Sequence, residues 1–368
     1  MGSARRGSRA RTRRDRRGST GSPAHTVTST PRRRALVLGG AALVLLAAML
    51  LGILVGPAGL TARGVLLDMA DALPFVDVDS GLSTRQQAIL WNIRMPRVVL
   101  GAVVGAMLAI AGAAYQGVFR NPLADPYLLG VSSGAGLGAT LAIVVGGAAG
   151  FAGVPMAAFA GGLLAVAATY MLGRSVGTGR TEVVIILAGV AVAAFANAIQ
   201  TFFMQLHDDT LRQVYSWMLG RLSTDGWSDV LTILPYVIVS VAVIALHRRT
   251  LDVMSVGDVE ASSLGIDPAR VRLVLVGVAT LGTAAVVSAS GLIGFVGIVI
   301  PHAVRLVVGP GHRLLLPLSL MVGAAFIVLA DIVARTAMSP AELPIGVVTA
   351  AIGAPFFLFV LRRSRGVA

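Results

Sequence analysis

Few residues in this chain have side chains able to act on a substrate, and their spacing is poor for it. His302 and Arg305 stand three apart in IVIPHAVRLVV, where ionisable groups on an apolar helix suggest a metal ligand, a proton relay or a helix cap. A single histidine with no carboxylate or second histidine at helical spacing is a poor metal site, which favours a capping or packing role. Asp331, Arg335 and Glu342 are close enough in sequence to pair with one another. Arg94 and Arg97 flank Met95 and Pro96 at the mouth of an apolar run, either as snorkelling anchors or as an ionic socket for an acidic partner. There is no cysteine, hence no disulfide, thiolate metal site or thiol nucleophile. All 30 basic residues are arginine, and the phosphate-binding loop of an ATPase requires a lysine, so any ATP-driven work must use another subunit. Paired-histidine zinc motifs, nucleophile elbows and acid/base constellations are also absent. No catalytic residue, metal or cofactor is expected in this chain.

The elements that would position these residues are membrane helices. The 368 residues are 56% hydrophobic and 13% charged, with a mean hydropathy of +0.83. A soluble protein carries about a quarter charged residues. The 44 glycines and 5% aromatic content fit helices that pack through small residues, so the expected class is an all-α polytopic membrane protein. Ten apolar stretches of about bilayer-spanning length run approximately 35–56, 97–118, 127–147, 151–172, 183–205, 229–246, 271–290, 292–308, 314–333 and 343–361.

Charge orients the stretches. Of the net +13, residues 1–34 carry +10 and the remaining 334 residues +3. Such a basic arm before an apolar run reads as a disordered cytoplasmic tail touching anionic lipid rather than as a nucleic-acid binder. The run after it is too long for a typical signal core. With ten spans and both termini cytoplasmic, 23 arginines fall inside and 7 outside, as the positive-inside rule requires of a plasma-membrane protein. Residues 35–368 then form one membrane domain.

Two connecting segments stand out. Gln116 to Gly138 sets Pro122 and Pro126 before a ladder of Gly130, Gly134, Gly136 and Gly138: a helix stop, a turn, and a helix that presses on a neighbour. His247 to Arg272 holds apolar residues among acids and serines, broken by Gly257 and Gly265. This pattern fits two short amphipathic helices at about 250–270, joined at a glycine and lying on the cytoplasmic face as a docking knob.

Six stretches in order, RMPR (94–97), QGVFRNPLADPYLLGVSSGAGLG (116–138), SWMLGRLS (216–223), VGDVEASSLGID (256–267), GLIGFVGIVIPHAVRLVVGPGHRLLLP (291–317) and DIVARTAMSPAELPIGVVTAAIGAPFF (331–357), resemble the iron-siderophore and cobalamin permease family of ABC importers. The resemblance implies a permease working as a homodimer or heterodimer around one pathway. Two ATPase subunits, which carry the ATP and magnesium, would sit below it and an extracytoplasmic substrate-binding protein above. It implies that Arg94, Arg97 and Arg335 receive acidic residues of the binding protein, and that Gly257, Asp258, Ala261, Leu264 and Gly265 belong to the helices that couple to the ATPase. Asn121 and Leu123 match positions at the cytoplasmic gate. A ferric siderophore is the expected cargo, cobalamin or haem the alternative. A stand-alone secondary transporter, the rival from another class, would need coupling carboxylates near mid-bilayer, whereas the acids here cluster at loops and span ends.

Overall fold

The computed structural model describes residues 31–56, 59–146, 153–175, 181–223 and 226–364. The basic tail expected over 1–34 lies outside the described residues as far as residue 30. The described residues form helices α1 (Pro31–Leu54), α2 (Ala62–Asp71), α3 (Thr84–Ile89), α4 (Met95–Val118), α5 (Val131–Gly146), α6 (Val154–Ser175), α7 (Thr181–Leu206), α8 (Leu211–Met218), α9 (Ser228–Leu246), α10 (Arg248–Met254), α11 (Asp258–Ser263), α12 (Pro268–Ser290), α13 (Val296–Val308), α14 (His312–Thr336) and α15 (Ile345–Ser364). Seven helical stretches are long and apolar enough to cross a membrane, and α5, α13 and the apolar part of α15 are shorter apolar helices. Each of the ten expected stretches has its helix, and the chain is a multi-pass membrane protein.

Boundaries move where the backbone forces them. α1 begins at Pro31, with Arg32, Arg33 and Arg34 on its first turn instead of in the preceding tail, because proline suits the first helical position. A five-residue π-helical turn, Leu90–Arg94, joins α3 to α4 without a break. α5 starts only after Gly130, whose φ of 89° ends a short 3-10 turn over Pro126–Leu129. α13 starts at Val296, four residues later than expected, since Gly291 and Phe295 both have φ near 70°.

α4 is the axis of the fold. It is apolar on all sides and almost wholly buried, the pattern of a helix enclosed by others. It packs against α14, α12, α13 and α9. Backbones touch at glycines: a β-carbon on Gly105 would overlap the carbonyl of Gly323 in α14, and one on Gly112 the carbonyl of Gly297 in α13. In the same way Gly134 and Gly138 of α5 lie against Gly161 and Ala157 of α6. α4 and α14 run antiparallel, because Gly117 meets His312 at one end and Arg97 meets Asp331 at the other. That first end, where α10 and α11 lie, is here the short-helix end.

At the opposite end, α2 and α3 are tied together by Asp68. Its buried carboxylate accepts hydrogen bonds from Ser80 Oγ (2.8 Å), Gln87 Nε2 (2.7 Å) and Trp91 Nε1 (2.8 Å). Burial alone would raise this carboxyl, but the three donors outweigh it and hold it below the usual range. A depressed carboxyl stabilises the fold above its unfolded pKa and loses that contribution as pH falls through the folded value. Asp68→Ala should therefore lower stability by about 2 kcal/mol, the cost of orphaning buried donors, and flatten the loss of thermal midpoint below pH 4. Equal acid sensitivity of variant and parent, read by thermal unfolding in detergent, would count against this role.

Candidate functional site

The expected residues gather at the two ends of the bundle. At the short-helix end, α10 and α11 meet at Gly257, and the helical segment is anchored from within: Leu251, Met254 and Ala261 are buried. Gly265, with φ at +77°, ends α11 in a left-handed turn closed by the Ile266 amide donating to the Ala261 carbonyl. Asp267 caps α12 by accepting from the amides of Ala269 and Arg270 at 3.0 and 3.2 Å. What the segment leaves outside is mixed, with Ser255, Glu260, Ser262 and Ser263 exposed beside three large apolar side chains. Val256, Val259 and Leu264 are 69%, 80% and 69% exposed. Of the five residues expected to couple, Leu264 belongs to this exposed set, Ala261 to the interior, and the two glycines to the junction and the cap.

Asp258 bonds inside the chain. Its carboxylate bridges Arg272 Nη2 at 3.2 Å and Arg120 Nη2 at 3.6 Å. Asp252, on α10, accepts both the backbone amide of His312 (2.8 Å) and its Nδ1 (2.7 Å), fastening the start of α14. Neither carboxylate bridge was apparent from sequence, because the partners lie 14 to 138 residues away. A signal did exist in the run of acids at 252, 258 and 260 facing a scaffold rich in arginine.

Asn121 and Leu123 form one tight turn. Asn121 Oδ1 accepts from the Leu123 amide at 2.9 Å, and its carbonyl accepts from the Ala124 amide at 3.0 Å. Leu123 lines a small apolar recess with Ile298, Val299, His302, Phe356 and Phe357, from α13 and α15. His302 packs in this recess, and Arg305 donates to Gln116 Oε1 at 2.9 Å. Among the described residues there is no group of three histidine, cysteine or acidic side chains able to hold a metal ion.

At the opposite end Arg94, Arg97 and Arg335 come together, although not as three free cations. Arg97 chelates Glu342 through both terminal nitrogens at 2.9 Å and reaches Asp331 at 2.9 Å. Arg335 also pairs with Asp331, at 3.3 Å. Arg94 and Arg335 are 4% and 3% exposed and turn inward, donating to the last carbonyls of α1 at Gly52, Ile53 and Leu54. Cations at a helix C-terminus complement its dipole. The sequence pairing of Asp331, Arg335 and Glu342 is thus completed by Arg97, whose side chain is 14% exposed against 48% for Glu342. Hydrogen bonding to Arg97 holds the Glu342 carboxyl below its ordinary range, against burial. Beside the cluster lies a cleft of about 180 Å³ lined also by Ser216, Arg221 and Ser223. Near it the Arg221 amide donates to the Ser290 carbonyl and the Gly346 amide to that of Leu219.

The profile of the FecCD transport family matches residues 41–363. The chain is 46% identical over 282 residues to the cobalamin import system permease protein BtuC of Halobacterium salinarum, covering 77% of this chain and 75% of that one. It is 39% identical over 288 residues to the hemin transport system permease protein HmuU of Yersinia pestis, covering 75% and 84%. With the Fe(3+)-citrate import system permease protein YfmD of Bacillus subtilis it shares 35% identity over 299 residues, covering 81% and 88%. A solved chain described as the inward-facing conformation of a transporter assigned to the metal-chelate type of ABC transporter superposes with a TM-score of 0.77 at 29% identity, over 89% of this chain and 99% of that one.

Proposed function

This chain belongs to the FecCD transport family and is the permease of an ABC importer, and we propose that it forms, as a dimer, the pathway for a metal chelate, with a ferric siderophore as the expected cargo. The observation that carries the reading is the combination of ten apolar helices with a chain that has no lysine, a membrane pathway lacking the phosphate-binding residue of an ATPase. ATP and magnesium then belong to two partner ATPase subunits, which dock on the exposed Val256, Val259 and Leu264. The arginine bias puts this end, and both termini, in the cytoplasm. An extracytoplasmic binding protein meets the opposite end, where Arg97 is the most exposed of the three arginines and Arg221 lines the same cleft, while Arg94 and Arg335 are buried against α1.

The 46% identity to a protein named for cobalamin import favours a second cargo, a corrinoid; the haemin and ferric citrate named for the other two are metal chelates of the same broad chemistry. One assay separates these. In the complex reconstituted with ATPase and binding protein, ATP turnover should rise with one of ferric siderophore, cobalamin or haem and not with the others. Reversing Arg97 to glutamate should remove most of that rise, through weaker association at low salt. ATP turnover by the purified chain alone, or indifference of the complex to all three ligands, would defeat the proposal.

A further inference from the structure

Asp258 stands on the helix that carries the exposed apolar side chains, yet its carboxylate points back into the chain, toward Arg120 and Arg272. Arg120 has an unusual backbone, with φ at 47°, a left-handed conformation that a residue with a β-carbon adopts only when its surroundings hold it. It immediately precedes the turn in which Asn121 fixes the amide of Leu123. Three consecutive links therefore run from α11 to the recess: a partly exposed ion pair, a residue in a left-handed conformation and a side-chain-closed turn. Arg272 holds the same carboxylate from α12, at 3.2 Å, so Asp258 ties α11 to α12 as well as to Arg120.

We propose that Asp258 is a positioning residue that conveys the position of the short-helix pair to Leu123 through Arg120. It follows that Asp258 acts inside the permease, and that the partner surface is made by its apolar neighbours. The inference rests on the proposed function insofar as α10 and α11 receive the ATPase, and it takes the turn at Leu123 as the cytoplasmic gate that the family resemblance implies. A push on Val259 or Leu264 would then shift the Asp258 carboxylate, and with it the Arg120 end of the turn that seats Leu123 against α13 and α15.

The chain has no cysteine, so Leu123→Cys places a single thiol in the full-length protein. Reconstituted in lipid nanodiscs, that thiol should react slowly with a small charged maleimide. Asp258→Asn and Arg120→Gln should each raise the rate about threefold, as expected for loosening one partly exposed ion pair. The double variant should react no faster than Asp258→Asn alone, because that change already breaks the Asp258–Arg120 pair that Arg120→Gln removes. Asp258→Glu, which keeps the charge, should return the rate toward that of the parent. If Asp258→Asn fails to give monodisperse protein, Arg120→Gln, which leaves the Asp258–Arg272 pair in place, carries the test. Unchanged rates in the single variants, or a double variant whose rate is the product of the two effects, overturn the proposal. Labelling is read without any ATPase, whereas failure of the proposed function shows separately, as the absence of ATPase co-purifying with the parent chain.

Discussion

Replacing Gly112 with alanine should leave little folded protein in the membrane fraction, while Gly277→Ala leaves the amount unchanged. At Gly112 the added methyl would overlap the carbonyl oxygen of Gly297 and also crowd its Cα. The obstacle is backbone on both sides, in two helices already held by α14, so no rotamer change relieves it. Gly297 is pressed in addition by the Asp125 carboxylate, at 2.5 Å from where its own β-carbon would stand. Overpacking costs about 1–3 kcal/mol where side chains can yield, and a contact of backbone on backbone belongs at the top of that range or beyond. In a bilayer no hydrophobic force between helices offsets the loss, since close approach of small residues is itself what holds them. Gly277 meets nothing within 4 Å, and alanine there gains helix propensity of about 1 kcal/mol. Fluorescence-detected size exclusion, with thermal midpoints of whatever elutes as a single species, reads both variants. Parental yield and midpoint for Gly112→Ala would show that the α4–α13 contact is looser than described.

The membrane spans were legible because apolar length is a local property, and each of the ten stretches announces itself within about twenty residues. The glycine ladder at 130–138 was legible for the same reason, through its regular spacing. Gly105 and Gly112 were not singled out, since isolated glycines in an apolar run do not reveal which neighbour comes close. The short helices at 248–263 showed themselves by a change of pattern, from continuous apolarity to alternation broken at glycines. Burial was the hidden quantity. Arg94 and Arg335 look like surface cations in sequence, but the α1 carbonyls that receive them come from 41 and 283 residues away. Asp258 and Asp252 likewise look like solvated acids on a polar loop until the partners at Arg120, Arg272 and His312 are brought in by the fold. Position along the chain separated these residues to opposite ends of the bundle, whereas their contacts depend on tertiary packing that no short-range pattern encodes.

Leu264→Asp should detach the ATPase while leaving the permease folded. At 69% exposure the new carboxylate remains in water in the isolated chain, so its effect on stability should stay within about 0.5 kcal/mol, as for ordinary surface changes. Docking changes the calculation. If this segment receives the ATPase, Leu264 would be an apolar side chain within the partner surface, the kind of residue that contributes most to association, and an unpaired charge buried there costs about 3 kcal/mol or more. That corresponds to roughly a hundredfold loss of affinity, enough to remove the ATPase from a purified complex. Ala261→Asp provides the contrast three residues earlier, where the side chain is fully buried within the permease. It should lower yield and thermal midpoint together with association. A fold that tolerates Asp at 264 and not at 261, joined to an ATPase lost in both, is the outcome required if the exposed face of this segment is the docking surface. Retention of the ATPase by the Leu264 variant at parental stoichiometry would mean that the exposed apolar face is directed at something else.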